Sequence, residues 1–258
     1  MTTETGKILL FQPLVSAGAG LDLRLVGIQT WLGRRLASHG VPGVIATVPP
    51  PEGESEGVTE LVPSDGQILE LMTNLDARWG LFTSFAVLGG RPHLAKARIF
   101  ERPRDAAEPM LRVAKLEFDL ANSDHLPAAT YTLLLAVLQV LGKEPPTAGW
   151  DEAFGTGDLG VANHHLAALG GFELATRGHL GDHGEEVLAS LLVGIRAGLK
   201  PAILGLPVVV KALRDAGSVA EDGVTRMVRD AVDAVGTVPA SWHELLRELG
   251  VSATRIEN

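Results

Sequence analysis

A chain of 258 residues with 46% hydrophobic and 21% charged residues has the apolar material for a packed core and excludes global disorder. Its formal net charge of −9 argues against a nucleic-acid or anionic-membrane surface, since both need clustered cations. With no cysteine, disulfides, thiolate nucleophiles and cysteine-ligated metals are excluded.

The first residues, Met1 to Gly6, lack the basic-then-apolar order of a secretory signal. No run reaches the roughly 20 apolar residues that span a bilayer, so a cytoplasmic protein without a membrane segment is the expectation.

Lys7 to Val48 reads as strand, glycine turn, helix, strand. Ile8 to Phe11 is a short apolar run closed by Pro13, and Ser16-Ala17-Gly18-Ala19-Gly20 supplies a turn. Leu21, Leu25, Ile28, Leu32 and Leu36 recur at helical spacing as one apolar stripe, with Gly40 placed as a left-handed C-cap. Gly43 to Val48 is a second strand, and a unit of this length predicts two parallel strands with the helix on one face. The acidic, glycine-rich Glu52 to Gly57 predicts an exposed loop. Ser64 and Gln67 have capping-box spacing ahead of a helix bearing Ile68, Leu71, Met72 and Leu75.

From Trp79 to Phe118 the period changes to two, predicting three antiparallel strands with one face buried and one partly wet. Gly89-Gly90 turns the chain between the first two. On the second strand, Ala95, Ala97 and Ile99 face one way and Lys96, Arg98 and Phe100 the other. Leu126 to Leu141 is apolar enough to predict a helix covered nearly all round. Beyond the boundary at Pro145 to Gly149 only helical patterns remain. They include one over Val161 to Leu174 broken at Gly170-Gly171, one over Ala202 to Ala216 that Pro207 either kinks or restarts, and a last one opened by a Ser241/Glu244 capping box. The predicted fold class is α+β, a mixed sheet in the order βαβαβββα over residues 1–144, followed by an all-α region over 145–258.

On these landmarks residues 7–142 resemble the TolB-like N-terminal domain family: Leu9 to Leu14 as a strand ending in a polar-proline turn, the Leu21 to Gly40 helix, the Gly43 to Val48 strand, the Trp79 to Phe118 meander and a helix ending Val140-Leu141-Gly142. Such domains often carry a glycine–aspartate turn after the first strand, and this chain has Ser16 to Gly20 instead. The following helices are similar to tetratricopeptide repeats, with most of the repeat's signature positions replaced. The resemblance implies a non-catalytic binding module and carries over no functional residue.

No motif for bond-making chemistry stands in the right setting. Gly155 to Gly160 spells G-x-G-x-x-G, but no strand precedes it, and Asp158 suits a helix N-cap better than a phosphate cradle. The Gly18 to Gly20 turn lies between strand and helix, as a phosphate site would, but position 23 is leucine. His164, His165, His179 and His183, near Asp182 and Glu186, could hold a metal or be solvated loop residues. Trp31 and Trp79 suit core packing. Exposed on the outer sheet face, Trp79, Phe82 or Phe100 would instead mark a contact surface, and Lys96 and Arg98 would receive an acidic ligand. These five are the candidate binding residues.

The expectation is a module that binds a peptide or protein and acts through a partner, as scaffold or as presenter of a peptide substrate to a separate enzyme. No cofactor or nucleic-acid partner is expected, and open sheet edges predict pairing into a homodimer or addition of a ligand strand. The alternative is an enzyme using the Gly18 to Gly20 turn for phosphate, or the histidines for a metal.

Overall fold

The computed structural model describes residues 6–11, 14–15, 22–46, 64–88, 91–103, 111–119, 123–253 and 255–256. The Gly18 to Gly20 turn, the Glu52 to Gly57 loop and Gly89-Gly90 lie outside the described residues. The fold is α+β followed by a helical region, and the chain divides into two units, Met1–Asp22 with Ile28–Gly149, and Leu23–Gly27 with Trp150–Asn258. The main boundary between the units falls between Gly149 and Trp150.

The first unit contains strands β1 (Lys7–Phe11), β2 (Leu14–Val15), β3 (Gly43–Ala46), β4 (Ala77–Leu88), β5 (Arg91–Glu101) and β6 (Leu111–Asp119), with helices α2 (Asp65–Asn74) and α3 (Leu126–Val140) and, from Ile28 onward, helix α1 (Leu23–Ser38), whose opening residues Leu23–Gly27 belong to the second unit. The sheet runs β3-β1-β4-β5-β6, with β2 paired to β4. β1 is parallel to β3, as expected from the strand-helix-strand pattern, and also to β4. β4, β5 and β6 form the expected antiparallel meander.

Ile8, Leu9, Leu10 and Phe11 are all fully buried. They show no alternation because β1 lies between two parallel neighbours and is covered on both faces. On one face Leu9 and Phe11 join Ile68 and Met72 of α2 with Ala77, Phe82 and Phe100. On the other, Leu10 reaches Gly33 of α1. Leu25, Ile28, Leu32 and Leu36 are buried along α1, and Gly40, at φ +73°, ends it while the Val41 amide returns to the Leu36 carbonyl at 2.9 Å.

The α2 capping box forms as the spacing predicts: the Gln67 amide donates to Ser64 Oγ, and the Ser64 amide donates to Gln67 Oε1 at 2.9 Å. The helix α3 is less enclosed than expected. Thr132 and Gln139 are exposed, and Ala128, Ala129 and Ala136 are half-buried. Alanine reads as apolar in a pattern yet is at home on a wet helix surface.

The second unit contains α4 (Trp150–Phe154), α5 (Leu159–Thr176), α6 (Gly184–Arg196), α7 (Lys200–Asp215), α8 (Glu221–Val235) and α9 (His243–Leu249), and α6 packs against α5, α7 and α8. Two expectations are corrected here, and the choice left open at Pro207 is decided. α5 runs unbroken through Gly170-Gly171, because glycine is needed there for close packing rather than for a turn. α7 continues through Pro207 as one helix. Ser241 does not cap α9: it lies in a 3₁₀ turn, Ala240–Trp242, the N-cap is Trp242, and no side chain caps that end.

Candidate functional site

The meander's register decides which side chains meet. Across β4 and β5, Phe82 stands opposite Arg98 and Ser84 opposite Lys96; across β5 and β6, Arg98 stands opposite Lys115 and Lys96 opposite Glu117. Directly opposed residues share a face, so Lys96, Arg98, Lys115 and Glu117 gather on one side of the sheet. Val113, two residues before Lys115, is skipped by the pairing, which passes from Ile99 opposite Ala114 to Phe100 opposite Arg112.

Only part of this face is covered. Phe82 and Phe100 are each 2% exposed in the cluster under α2, and Trp79 is 8% exposed with the Arg78 guanidinium 5.2 Å from its ring centre. The three aromatics of the expected binding set are therefore core residues. Trp79, opposite Glu101 and Ile8, lies on the other face of the sheet, and the face that Phe82 and Phe100 share with Lys96 and Arg98 changes from core to surface along a single strand. Trp31 is buried too, under the Arg35 guanidinium. Lys96 and Arg98 are half-buried, while Val113, Lys115 and Glu117 are exposed.

Charge on the open part is unbalanced. Glu117 Oε1 lies 2.8 Å from Lys115 Nζ and 3.8 Å from Lys96 Nζ, so one carboxylate serves two ammonium groups. Its carboxyl is held below the usual glutamate range, chiefly by the Lys115 hydrogen bond and charge and then by the Lys96 charge. Among the described residues no carboxylate pairs with Arg98, whose opposite neighbour is the like-charged Lys115. Like charges directly opposed across a ladder are destabilising. A half-buried guanidinium offers a planar donor fork that a carboxylate fits in bidentate fashion.

Sequence reasoning picked out Lys96 and Arg98 and singled out neither Lys115 nor Glu117. Alternation put Lys115 and Glu117 on one face of β6; it could not supply the register that brings that face beside Arg98.

The other sequence candidates separate. Asp158 caps α5, its Oδ1 accepting from the Gly160 and Val161 amides at 2.7 and 3.2 Å, so the G-x-G-x-x-G stretch is a turn between α4 and α5. His183 pairs with Glu186 at 3.2 Å. His164 Nδ1 meets Ser190 Oγ, across from α5 to α6, at 3.2 Å. That serine is 4% exposed inside a helix, where the surrounding amides are already used in the helical ladder and none is left to stabilise an oxyanion. Among the described residues no cluster of three or more histidines and acids has the geometry to hold a metal ion, and no helix is long and apolar enough to cross a membrane. The chain matches no family model, no curated protein and no solved structure.

Proposed function

We propose that this chain is a peptide- or protein-binding module acting through a partner, and that the open sheet face bearing Lys96, Arg98 and Lys115 receives an acidic segment of the ligand. One observation carries this reading: Arg98 is half-buried, opposed by a lysine and unanswered by any described carboxylate, in a chain whose net charge is −9. A TolB-like fold with tetratricopeptide-like helices has the same implication. The partner is scaffolded into a complex, or offered as a substrate to a separate enzyme.

The test is saturable binding of acidic peptides to the purified chain, read by fluorescence anisotropy at two salt concentrations. Affinity falls with salt, and Arg98→Gln weakens it about tenfold, as loss of a charge-assisted hydrogen bond requires. Equal binding by wild type and Arg98→Gln, or turnover of a small molecule by the chain alone, overturns the proposal.

A further inference from the structure

The strand order places β6 at one end of the sheet, and no described strand pairs with its outer side. An open edge presents a row of amides and carbonyls at strand spacing. Edges are commonly guarded by lysine, and Lys115 could be such a guard. Two features go against guarding alone. Val113, at the register shift of the edge strand, is a 43% exposed apolar side chain, which invites a covering partner. Arg98 is one strand in from the edge, where a guard has no use.

Resting on the binding reading above, we infer that the ligand adds to β6 as an antiparallel strand, with a carboxylate opposite Lys115. Antiparallel pairing extends the meander's own pattern and is slightly the more stable per residue. A glutamate opposite Lys115 stands two strand spacings, roughly 10 Å, from the Arg98 backbone, within the joint reach of two long side chains leaning together. It answers both cations and relieves their opposition, while Lys96 keeps Glu117. Two residues along, an apolar ligand side chain covers Val113; two residues the other way, the position opposite Glu117 is uncharged or basic. From N to C the recognised face therefore reads neutral or basic, acidic, apolar, at alternate positions.

A second copy pairing through β6 about Leu116 would set Lys115 against the partner copy's Glu117. The carboxylate so placed is already shared by the partner copy's own Lys115 and Lys96, so pairing two copies leaves three cations to one carboxylate in each, and the acidic segment is the occupant the charges favour.

The probe is a blocked peptide, Thr-Gln-Thr-Glu-Thr-Val-Thr, titrated into the full chain, together with two versions N-methylated on alternate residue sets. In a strand added to an edge, only one set of amides faces β6. The expected result is that one methylated peptide keeps the parent's affinity and the other loses about tenfold or more. Equal affinities for the two methylated peptides, high or low, overturn strand addition, while the binding reading survives if Arg98→Gln still weakens the parent. Failure of the parent peptide to bind overturns strand addition of this pattern, and with no binding of any acidic peptide the underlying reading fails as well. A dimer by sedimentation that Lys115→Glu disrupts shows the edge taken by a second copy, and this too overturns the inference.

Discussion

Gly27 on α1 and Gly170 on α5 each stand where the other helix's backbone leaves no room for a side chain. A Cβ on Gly27 would lie 1.9 Å from the Leu166 carbonyl oxygen, and one on Gly170 would lie 1.9 Å from that of Leu23. Both residues belong to the helical unit. The obstacle is backbone on each side, so no rotamer change relieves it. Alanine at either position is expected to destabilise the chain by about 2 kcal/mol or more, despite alanine's better helix propensity. Gly205 on α7 is the control, because a Cβ there meets open space and alanine should stabilise by up to about 1 kcal/mol. Urea unfolding followed by circular dichroism reads both signs, and an unchanged midpoint for Gly170→Ala would refute the close crossing.

That pair also shows where the sequence stops being legible. Gly170-Gly171 in a helical pattern reads as a break, since glycine weakens a helix by its freedom. The same letters serve close approach when a second backbone is present, and only tertiary structure supplies that backbone. Elements with a strong local signal were legible: the unalternating apolar run of β1, the period-two meander, the Ser64 cap and the Asp158 cap. The Ser241/Glu244 spacing was equally suggestive and failed, because a 3₁₀ turn occupies those residues and α9 begins after it. At the candidate site the face of each strand was legible, but the register between strands was not. Phe82 and Phe100 thus looked like possible surface residues until α2 was seen to cover them.

Ser64 closes the start of the helix that covers Phe11, Phe82 and Phe100. Ser64→Ala removes the acceptor for the Gln67 amide and leaves the Gln67 side chain reaching back alone. The expected cost is about 1 kcal/mol, typical of a lost N-cap. Ser64→Asp, which keeps an acceptor and adds a charge favoured at a helix N-terminus, should recover most of it. Equal unfolding midpoints for wild type and Ser64→Ala would show that the box carries no stability.

Thr83 sits on the opposite sheet face, beside a small pocket bounded by Ile28, Phe85, Ala97, Leu126 and Leu133. It is 2% exposed, and its Oγ1 has no hydrogen-bond partner among the described residues. A hydroxyl buried without a partner costs about 1–3 kcal/mol, so Thr83→Val, of similar shape, should raise stability by about 1 kcal/mol. A fall in stability instead would mean that the hydroxyl is satisfied by a group held in the pocket, and calorimetry on the purified chain distinguishes the two.

Glu117 provides a pH readout of the sheet face. Its carboxyl titrates below the usual glutamate range, so the folded state holds the proton more weakly than the unfolded chain does. A depressed carboxylate contributes its stabilisation above the unfolded value, near 4.3, and loses it as pH falls through the lower folded value. The Lys115 pairing should therefore persist at neutral pH and disappear only under acid conditions. Carbon-detected NMR titration of the Glu117 carboxyl should give a midpoint below that of an ordinary glutamate. Lys115→Gln should move it most of the way back, and Lys96→Gln less, following the order of the two contacts at 2.8 and 3.8 Å. If a ligand carboxylate draws Lys115 away, saturation with the peptide should raise the midpoint in the wild type and leave it unmoved in Lys115→Gln. A midpoint indifferent to both the variant and the peptide would separate Glu117 from the charge balance of this face.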